Sequence, residues 1–240
     1  MWFLAWCAPS AFLISKRHTE KETNNCSYLT AHQTAALANS IKTRYTPITL
    51  TEPVIRPDEL THAELLELAP EGGLIRFAGQ RALLIDATAM GVLRQYLVEN
   101  FGLVATRAVL TQFGFAHGWR MAEALQEQFK WSSEGEWRQA GPRIHALEGL
   151  FRGQPGSEDP LSAKGATLRS SYEAEQHLLH LGGADSPVCW TISGLISGYL
   201  SCATGKEIFV LEDRCLGQGH AACHLLGRTR ELWSDELAIE

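Results

Sequence analysis

Residues 186–199 read SPVCWTISGLISGY and residues 211–228 read LEDRCLGQGHAACHLLGR, and these stretches hold three of the chain's six cysteines. The run 188–205, VCWTISGLISGYLSCATG, predicts a compact apolar helix, with Gly194 and Gly198 four apart so that another backbone can approach closely. KEIFVLED (206–213) and AACHLLGR (221–228) predict short strands flanking a turn at Gly217 and Gly219. Cys189 then enters from the helix start, Glu212 and Cys215 sit three apart where the first strand must turn, and Cys223 follows after seven intervening residues. Thiolate, imidazole and carboxylate ligands at tetrahedral corners suit zinc, and four protein ligands leave no open position for water, so the spacing predicts a closed, structural site. The spacing lacks a C-x-x-C pair, so reduced, buried core cysteines are the alternative. His220 and His224 are competing ligands, and Cys202 lies one helix away.

Upstream, ATLRSSYEAEQHLL (166–179) shows partial period-two alternation from Ala166 to Glu175 and reads as a strand ending near Gly182-Gly183. RIHALEGLF (143–151), after Gly141-Pro142, also reads as a strand, and 153–164 as an exposed connection rich in Gly, Pro, Ser and acid. Two amphipathic helices are expected before it. The first carries Ala89, Leu93, Tyr96 and Leu97 and stops at Gly102. The second runs over 106–129 and buries a stripe of Val109, Leu110, Phe113, Trp119, Ala122, Leu125 and Phe129, with Gly114 and Gly118 permitting close packing. GGLIRFAGQRALLID (72–86) reads as a hairpin about Gly79-Gln80 that buries Ile75, Phe77, Leu83 and Ile85. The organisation expected is a poorly ordered lead-in over 1–70, with one short helix at 57–68, then 71–164 and 165–240 as two parts of one α+β domain closed by a helix at 229–237. An antiparallel sheet packed with helices and a stapled C-terminal hairpin is the fold class.

A net charge of −6 with no concentrated basic face argues against a nucleic-acid partner. With 45% hydrophobic and 20% charged residues the chain fits a globular protein with a sizeable core. The sparse cysteines fit a reducing cytoplasm better than a disulfide scaffold. The apolar start MWFLAWCAPSAFLIS is interrupted by Pro9 and is followed, not preceded, by Lys16 and Arg17, so neither an export signal nor a membrane span is expected.

GLIRFAGQRALLID, LRQYLVENFG, GPRIHALEG, SYEAE, SPVCWTISGLISGY and LEDRCLGQGHAACHLLGR together resemble the sensor domains of bacterial sigma-54-dependent activators of aromatic catabolism, the phenol-, toluene- and xylene-responsive regulators. The resemblance runs from about residue 72 to 233. Over about 165–229 the chain also resembles the 4-vinyl-reductase domain, a small-molecule-binding fold related to Golgi-tethering subunits. The likeness implies zinc on Cys189, Glu212, Cys215 and Cys223, a homodimer, and an aromatic effector buried beside the stapled hairpin. It places His145 where the phenol sensors hydrogen-bond the effector hydroxyl, and Leu168 where they carry a tryptophan whose N–H donor is lost here. Ala166, Tyr199 and Val210 fall at further pocket positions, and the stretch between His145 and Leu168 is shorter than in those sensors. Such activators continue into an ATPase and a helix-turn-helix domain, whereas this chain carries no G-x-x-x-x-G-K-[ST] loop, so a sensor without those parts is expected.

A ligand-binding sensor is therefore the leading reading, with no catalysis. A dimeric adaptor that holds no ligand is the second. The third is a tetrapyrrole-related reductase, disfavoured because no G-x-G-x-x-G follows a strand. Glu173, Glu175 and His177 would share one face of a strand and could then form an acid–base cluster, although a solvated polar face explains them as well.

Overall fold

The protein is described from a computed structural model, which covers residues 55–238. The apolar start and the rest of 1–54 lie outside the described residues. Helices and two antiparallel sheets make up the domain. Its first sheet is a meander, β1 (Leu66–Ala69), β2 (Leu74–Phe77) and β3 (Gln80–Ala82), in the order β1-β2-β3. The hairpin about Gly79 forms as read, but β3 ends at Ala82. Phe77 is therefore buried, while Leu83 and Ile85 lie exposed beyond the strand and Ile75 is only half-buried. The lead-in also ends sooner than residue 70. Thr61 caps a single helical turn, α1 (His62–Leu65), by accepting from the Ala63 amide, and Ile55, Leu60 and Leu65 are buried in the core.

The long helix α2 (Ala87–Gln128) starts at Asp86, whose carboxylate accepts from the Ala89 amide. Gly102 interrupts it with φ 78 and ψ 166, a conformation only glycine adopts cheaply, so the stop read from the sequence divides an arm, 87–101, from a shaft, 103–128. The shaft buries Leu110, Ala122 and Leu125, and Phe129 just after it, but leaves Val109, Phe113 and Trp119 exposed, so the expected stripe is only half covered.

Two segments read as strands are helices. Ser133 caps α3 (Glu134–Leu147) through the Glu136 amide, and Trp137, Ala140, Gly141, Ile144 and His145 recur at helical spacing on its buried face. Gly141 is there for proximity: a Cβ would lie 2.9 Å from the Tyr199 ring, so the Gly-Pro pair serves packing inside the helix, not a break. Likewise strand β5 (Ala166–Arg169) ends early. Ser170, with φ 52, turns the chain, and Ser171 accepts from the Ala174 amide to start α4 (Tyr172–Leu181). In that helix Glu173 and His177 share the buried face and Glu175 is exposed, so the three-residue cluster does not form.

The second sheet runs β4-β5-β7-β6, with β4 (Arg152–Gly153), β6 (Ile208–Arg214) and β7 (Cys223–Thr229), and its β4–β5 pairing crosses the boundary read at 164/165. Against it lies α5 (Trp190–Thr204). Ser197 and Ser201 on α5 accept from the Val210 and Ile208 amides at 2.9 Å each, which satisfies an otherwise open strand edge. Helix α6 (Arg230–Ala238) follows β7.

Helix α5 crosses the shaft at glycine contacts on both sides. A Cβ on Gly114 or Gly118 would lie 2.0 or 1.9 Å from the carbonyl oxygens of Thr191 and Leu195, and one on Gly194 or Gly198 would lie 2.0 or 2.1 Å from those of Thr111 and Phe115. These obstacles are backbone atoms, which no rotamer change removes. Gly194→Ala is expected to cost about 3 kcal/mol, the upper end for overpacking, measured by urea denaturation. Gly183→Ala, where a Cβ meets nothing within 4 Å, should stay within about 0.5 kcal/mol of the parent. Equal effects from the two substitutions would contradict the crossing.

Candidate functional site

The β6–β7 turn and the start of α5 bring together Cys189, Glu212, Cys215 and Cys223, with one donor atom from each inside a 4.8 Å cluster. The register makes this possible. Glu212 pairs with Leu225 across the hairpin, a bulge follows before Arg214, and the 3-10 turn at Leu216–Gln218 ends on Gly219 at φ 90, which returns the chain to Cys223. Sγ separations are 3.8 Å for Cys189–Cys215, 3.6 Å for Cys189–Cys223 and 3.8 Å for Cys215–Cys223, too long for disulfides at about 2.05 Å. All three are fully buried free cysteines.

Electrostatically this cluster cannot hold four negative charges by itself. Contacts with Cys189 and Cys223 hold the Cys215 thiol down at about 2, while contacts with Cys215 and Cys223, and then burial, push Cys189 well up. Burial and the Cys215 charge raise Glu212 to about 8. One carboxylate oxygen of Glu212 accepts from the Cys189 amide at 2.9 Å, and the other, Oε1, is buried without a hydrogen-bond partner. A ring of soft donors with an orphaned oxygen is a set that could hold a metal cation. The competing ligand His224 is engaged elsewhere: its ring contacts Asp213 at 2.5 Å and the Lys164 carbonyl at 2.7 Å.

Farther along α5 lies a cleft of about 680 Å³. Its apolar wall is Phe151, Ala166, Leu168, Ile196, Tyr199 and Leu200, and Arg138, Arg152, Glu158 and Asp159 are at its polar rim. Of the pocket positions read from the sequence, His145, Ala166, Leu168 and Tyr199 line this cleft. Val210 does not; it is buried in the packed core with Ile192, Leu195 and Leu225, because its strand position faces α5. Trp137, which the sequence left unplaced, is core, its indole donating to the Ala122 carbonyl at 3.1 Å. The segment 153–162, read as mere connection, supplies much of the rim.

His145 stands edge-on to Tyr199, with ring centroids 5.4 Å apart, and 5.7 Å from Phe151. Its Nδ1 meets Glu148 Oε2 at 2.8 Å, Glu148 Oε1 meets His117 Nε2 at 2.8 Å, and His145 Nε2 is buried with no partner. His117 and Glu148 had no place in the sequence reading. The His-x-x-Glu spacing at 145–148 signals a contact only once the segment is seen to be a helix.

Comparison with known proteins fits this geometry. The family model described as activator of aromatic catabolism matches residues 62–158, and the model of the 4-vinyl-reductase domain matches 168–229. The chain is 31% identical over 172 residues to the phenol regulator MopR of Acinetobacter guillouiae, and 28% over 173 residues to the transcriptional regulatory protein XylR of Pseudomonas putida. Those alignments take in 69% and 70% of this chain, which spans about a third (31%) of each regulator. The crystal structure of the phenol-responsive sensory domain of the transcription activator PoxR, with phenol, superposes with a TM-score of 0.67 at 33% identity, over 73% of this chain and 90% of that one. The chain belongs to the sensory-domain family of the aromatic-catabolism activators.

In this family member the histidine–carboxylate chain carries a pH signature. Burial acts to raise Glu148, but hydrogen bonds from His117 and His145 outweigh it and hold the carboxyl at about 2. The bond to Glu148 raises His117 above its ordinary 6.5, against an opposing effect of burial. A histidine raised on folding contributes its stability fully below about pH 6.5 and loses it as pH rises through the raised value. Glu148, lowered on folding, keeps its contribution until the pH falls from about 4.5 toward 2. The stability difference between the parent and His117→Gln should therefore be largest near pH 6 and shrink as the pH is raised past about 8, read from urea denaturation midpoints. A difference constant over that range would refute the charged pair.

Proposed function

We propose that this domain is an effector sensor that binds an apolar aromatic compound in the cleft, beside a structural zinc, and passes the binding event on through a dimer. The observation that carries the reading is the Nε2 of His145: a buried polar atom without a partner, on a residue lining an otherwise aliphatic and aromatic wall. Buried polar atoms are rarely left unpaired, so a ligand hydrogen bond is its natural complement. Ligand binding by the phenol-responsive PoxR domain supports this by kinship. The resemblance that sets Leu168 where phenol sensors carry tryptophan removes one donor, which weakens hydroxyl selection and favours larger apolar rings. Size supports the same choice: a cavity of about 150 Å³ suffices for benzene, and this cleft is about 680 Å³.

Zinc fits the donor set. Metal–sulfur bonds of about 2.3 Å at tetrahedral angles place sulfurs about 3.8 Å apart, against 3.6–3.8 Å here. Zinc there would supply cross-linking charge, and with four protein ligands no open position for catalysis. The other candidate acid–base pair is committed to structure, since Glu173 and His177 are both bound to Arg94, so a non-enzymatic role is favoured. Freshly purified protein is expected to hold about one zinc per chain by elemental analysis, and Cys215→Ala or Cys223→Ala to lose both metal and cooperative folding, since structural zinc contributes about 10–16 kcal/mol in small peptides. Calorimetric titration of the zinc-loaded domain with phenol, toluene and biphenyl should give saturable binding that weakens when Leu168 or Ala166 is enlarged. Absence of binding by every aromatic tested would leave the adaptor reading in its place.

The dimer rests on the arm. Leu84, Phe101, Leu103 and Val104 are 83%, 62%, 57% and 82% exposed, a concentration of apolar surface that marks an interaction site. No helix among the described residues is long and apolar enough to cross a membrane, so a second copy is the occupant we favour. Val104→Glu should convert a dimer to a monomer in sedimentation equilibrium with the fold retained; a parent that is already monomeric would exclude this role.

A further inference from the structure

We infer that His117 and Glu148 are positioning residues that lock His145 into one tautomer, proton on Nδ1 and bare acceptor on Nε2, so that the cleft selects aromatic ligands carrying an O–H or N–H donor. This rests on the proposed effector role of the cleft and adds a rule for which effectors it prefers.

The argument is one of valence and charge. An ionised carboxylate only accepts hydrogen bonds. Glu148 is held ionised by its two histidine contacts at 2.8 Å each, so both facing nitrogens, His145 Nδ1 and His117 Nε2, must carry hydrogen. With one negative charge between two rings, a single positive charge balances the set. His117 takes it: its side chain is 36% exposed while that of His145 is 2% exposed, and a cation costs less where water still reaches it. His145 is then neutral with Nδ1 occupied, and its Nε2 presents a lone pair. Apolar neighbours surround that lone pair, with Phe151 and Tyr199 rings at 5.7 and 5.4 Å. A ligand donor would satisfy it; a ligand carbonyl or ether would face it lone pair to lone pair. Thus a phenol or aniline is preferred to a toluene of the same shape, and benzaldehyde gains nothing over styrene. The acceptor at His145 keeps the part of hydroxyl selection that does not depend on position 168. His117 lies on the α2 shaft, outside the cleft lining, and acts only through Glu148.

The test uses the zinc-loaded domain, Glu148→Gln and His117→Gln, with two readouts. Nitrogen-15 NMR of the ligand-free parent should show His145 with a protonated Nδ1 and an unprotonated Nε2, and both variants should lose that fixed pattern. Titration should show phenol preferred to toluene in the parent, with the preference falling roughly tenfold in the variants while toluene affinity holds. A mere packing defect would weaken both ligands alike. If Glu148→Gln does not fold, His117→Gln carries both readouts, because its ring is partly exposed. A protonated Nε2 in the parent, or an unchanged phenol-to-toluene ratio in folded variants, overturns the inference. A parent that binds no aromatic yet shows the fixed tautomer would sink the sensor reading alone and leave the positioning role standing.

Discussion

Helix α5 touches the shaft of α2 backbone to backbone, and almost everything else about the domain is placed by that contact. With glycine at 114, 118, 194 and 198, carbonyl oxygens occupy the space of four missing Cβ atoms at about 2 Å. Such closeness fixes both the separation and the rotation of the helices, because small slides bring full side chains into collision. The opposite side of α5 is fixed by Ser197 and Ser201 against β6. The helix is thus clamped between a helix and a strand, with no freedom left at its two functional ends.

Those ends are the metal cluster and the cleft. Cys189 caps α5 and Tyr199 lies ten residues on, about 15 Å away at 1.5 Å per residue. Tyr199 anchors the far end by donating to the Trp137 carbonyl at 2.7 Å while its ring meets His145 and Gly141. At the near end a buried ion pair takes over. Glu173 accepts from the Thr191 and Ile192 amides and pairs with Arg94 at 2.7 Å, and Arg94 also donates to the Val188 carbonyl, one residue before Cys189. A carboxylate at a helix N-terminus complements the helix dipole, and the guanidinium, 4.0 Å over the Trp190 ring, offsets the charge. Since Arg94 comes from the arm of α2, the arm, α4 and the cysteine loop are bound through three charged or aromatic side chains.

Much of this was legible because it depends on local patterns. The four-residue glycine spacing, the Gly102 stop and the cysteine–glutamate spacing all express short-range backbone requirements, and each sits where its pattern implies. Failures came where two periodicities competed. RIHALEGLF and SYEAE carry β-branched, aromatic and alternating residues that suggest strands, yet Ser133 and Ser171 start helices by capping the Glu136 and Ala174 amides. Gly141-Pro142 misled for a related reason: the pair usually breaks a helix, but here the absent Cβ makes room for Tyr199. The exposed arm could not be foreseen from its apolar spacing, since periodicity reports which residues share a face and not whether anything covers it.

Misreading α3 as a strand also hid the chemistry of the cleft. On a strand His145 and Glu148 point to opposite faces; on a helix they share one, three residues apart. That single change turns an isolated histidine into the inner end of a chain reaching His117, and makes Glu148 a charge whose burial needs both partners. The apolar wall then follows from the same placement, because α3 and α5 meet at Gly141 and Tyr199 while β5 contributes Ala166 and Leu168 from the other side. A cleft formed by a clamped helix, a capped helix and a sheet edge has little room to relax, so the one polar atom left unpaired within it is a demand made of the ligand and not of the protein.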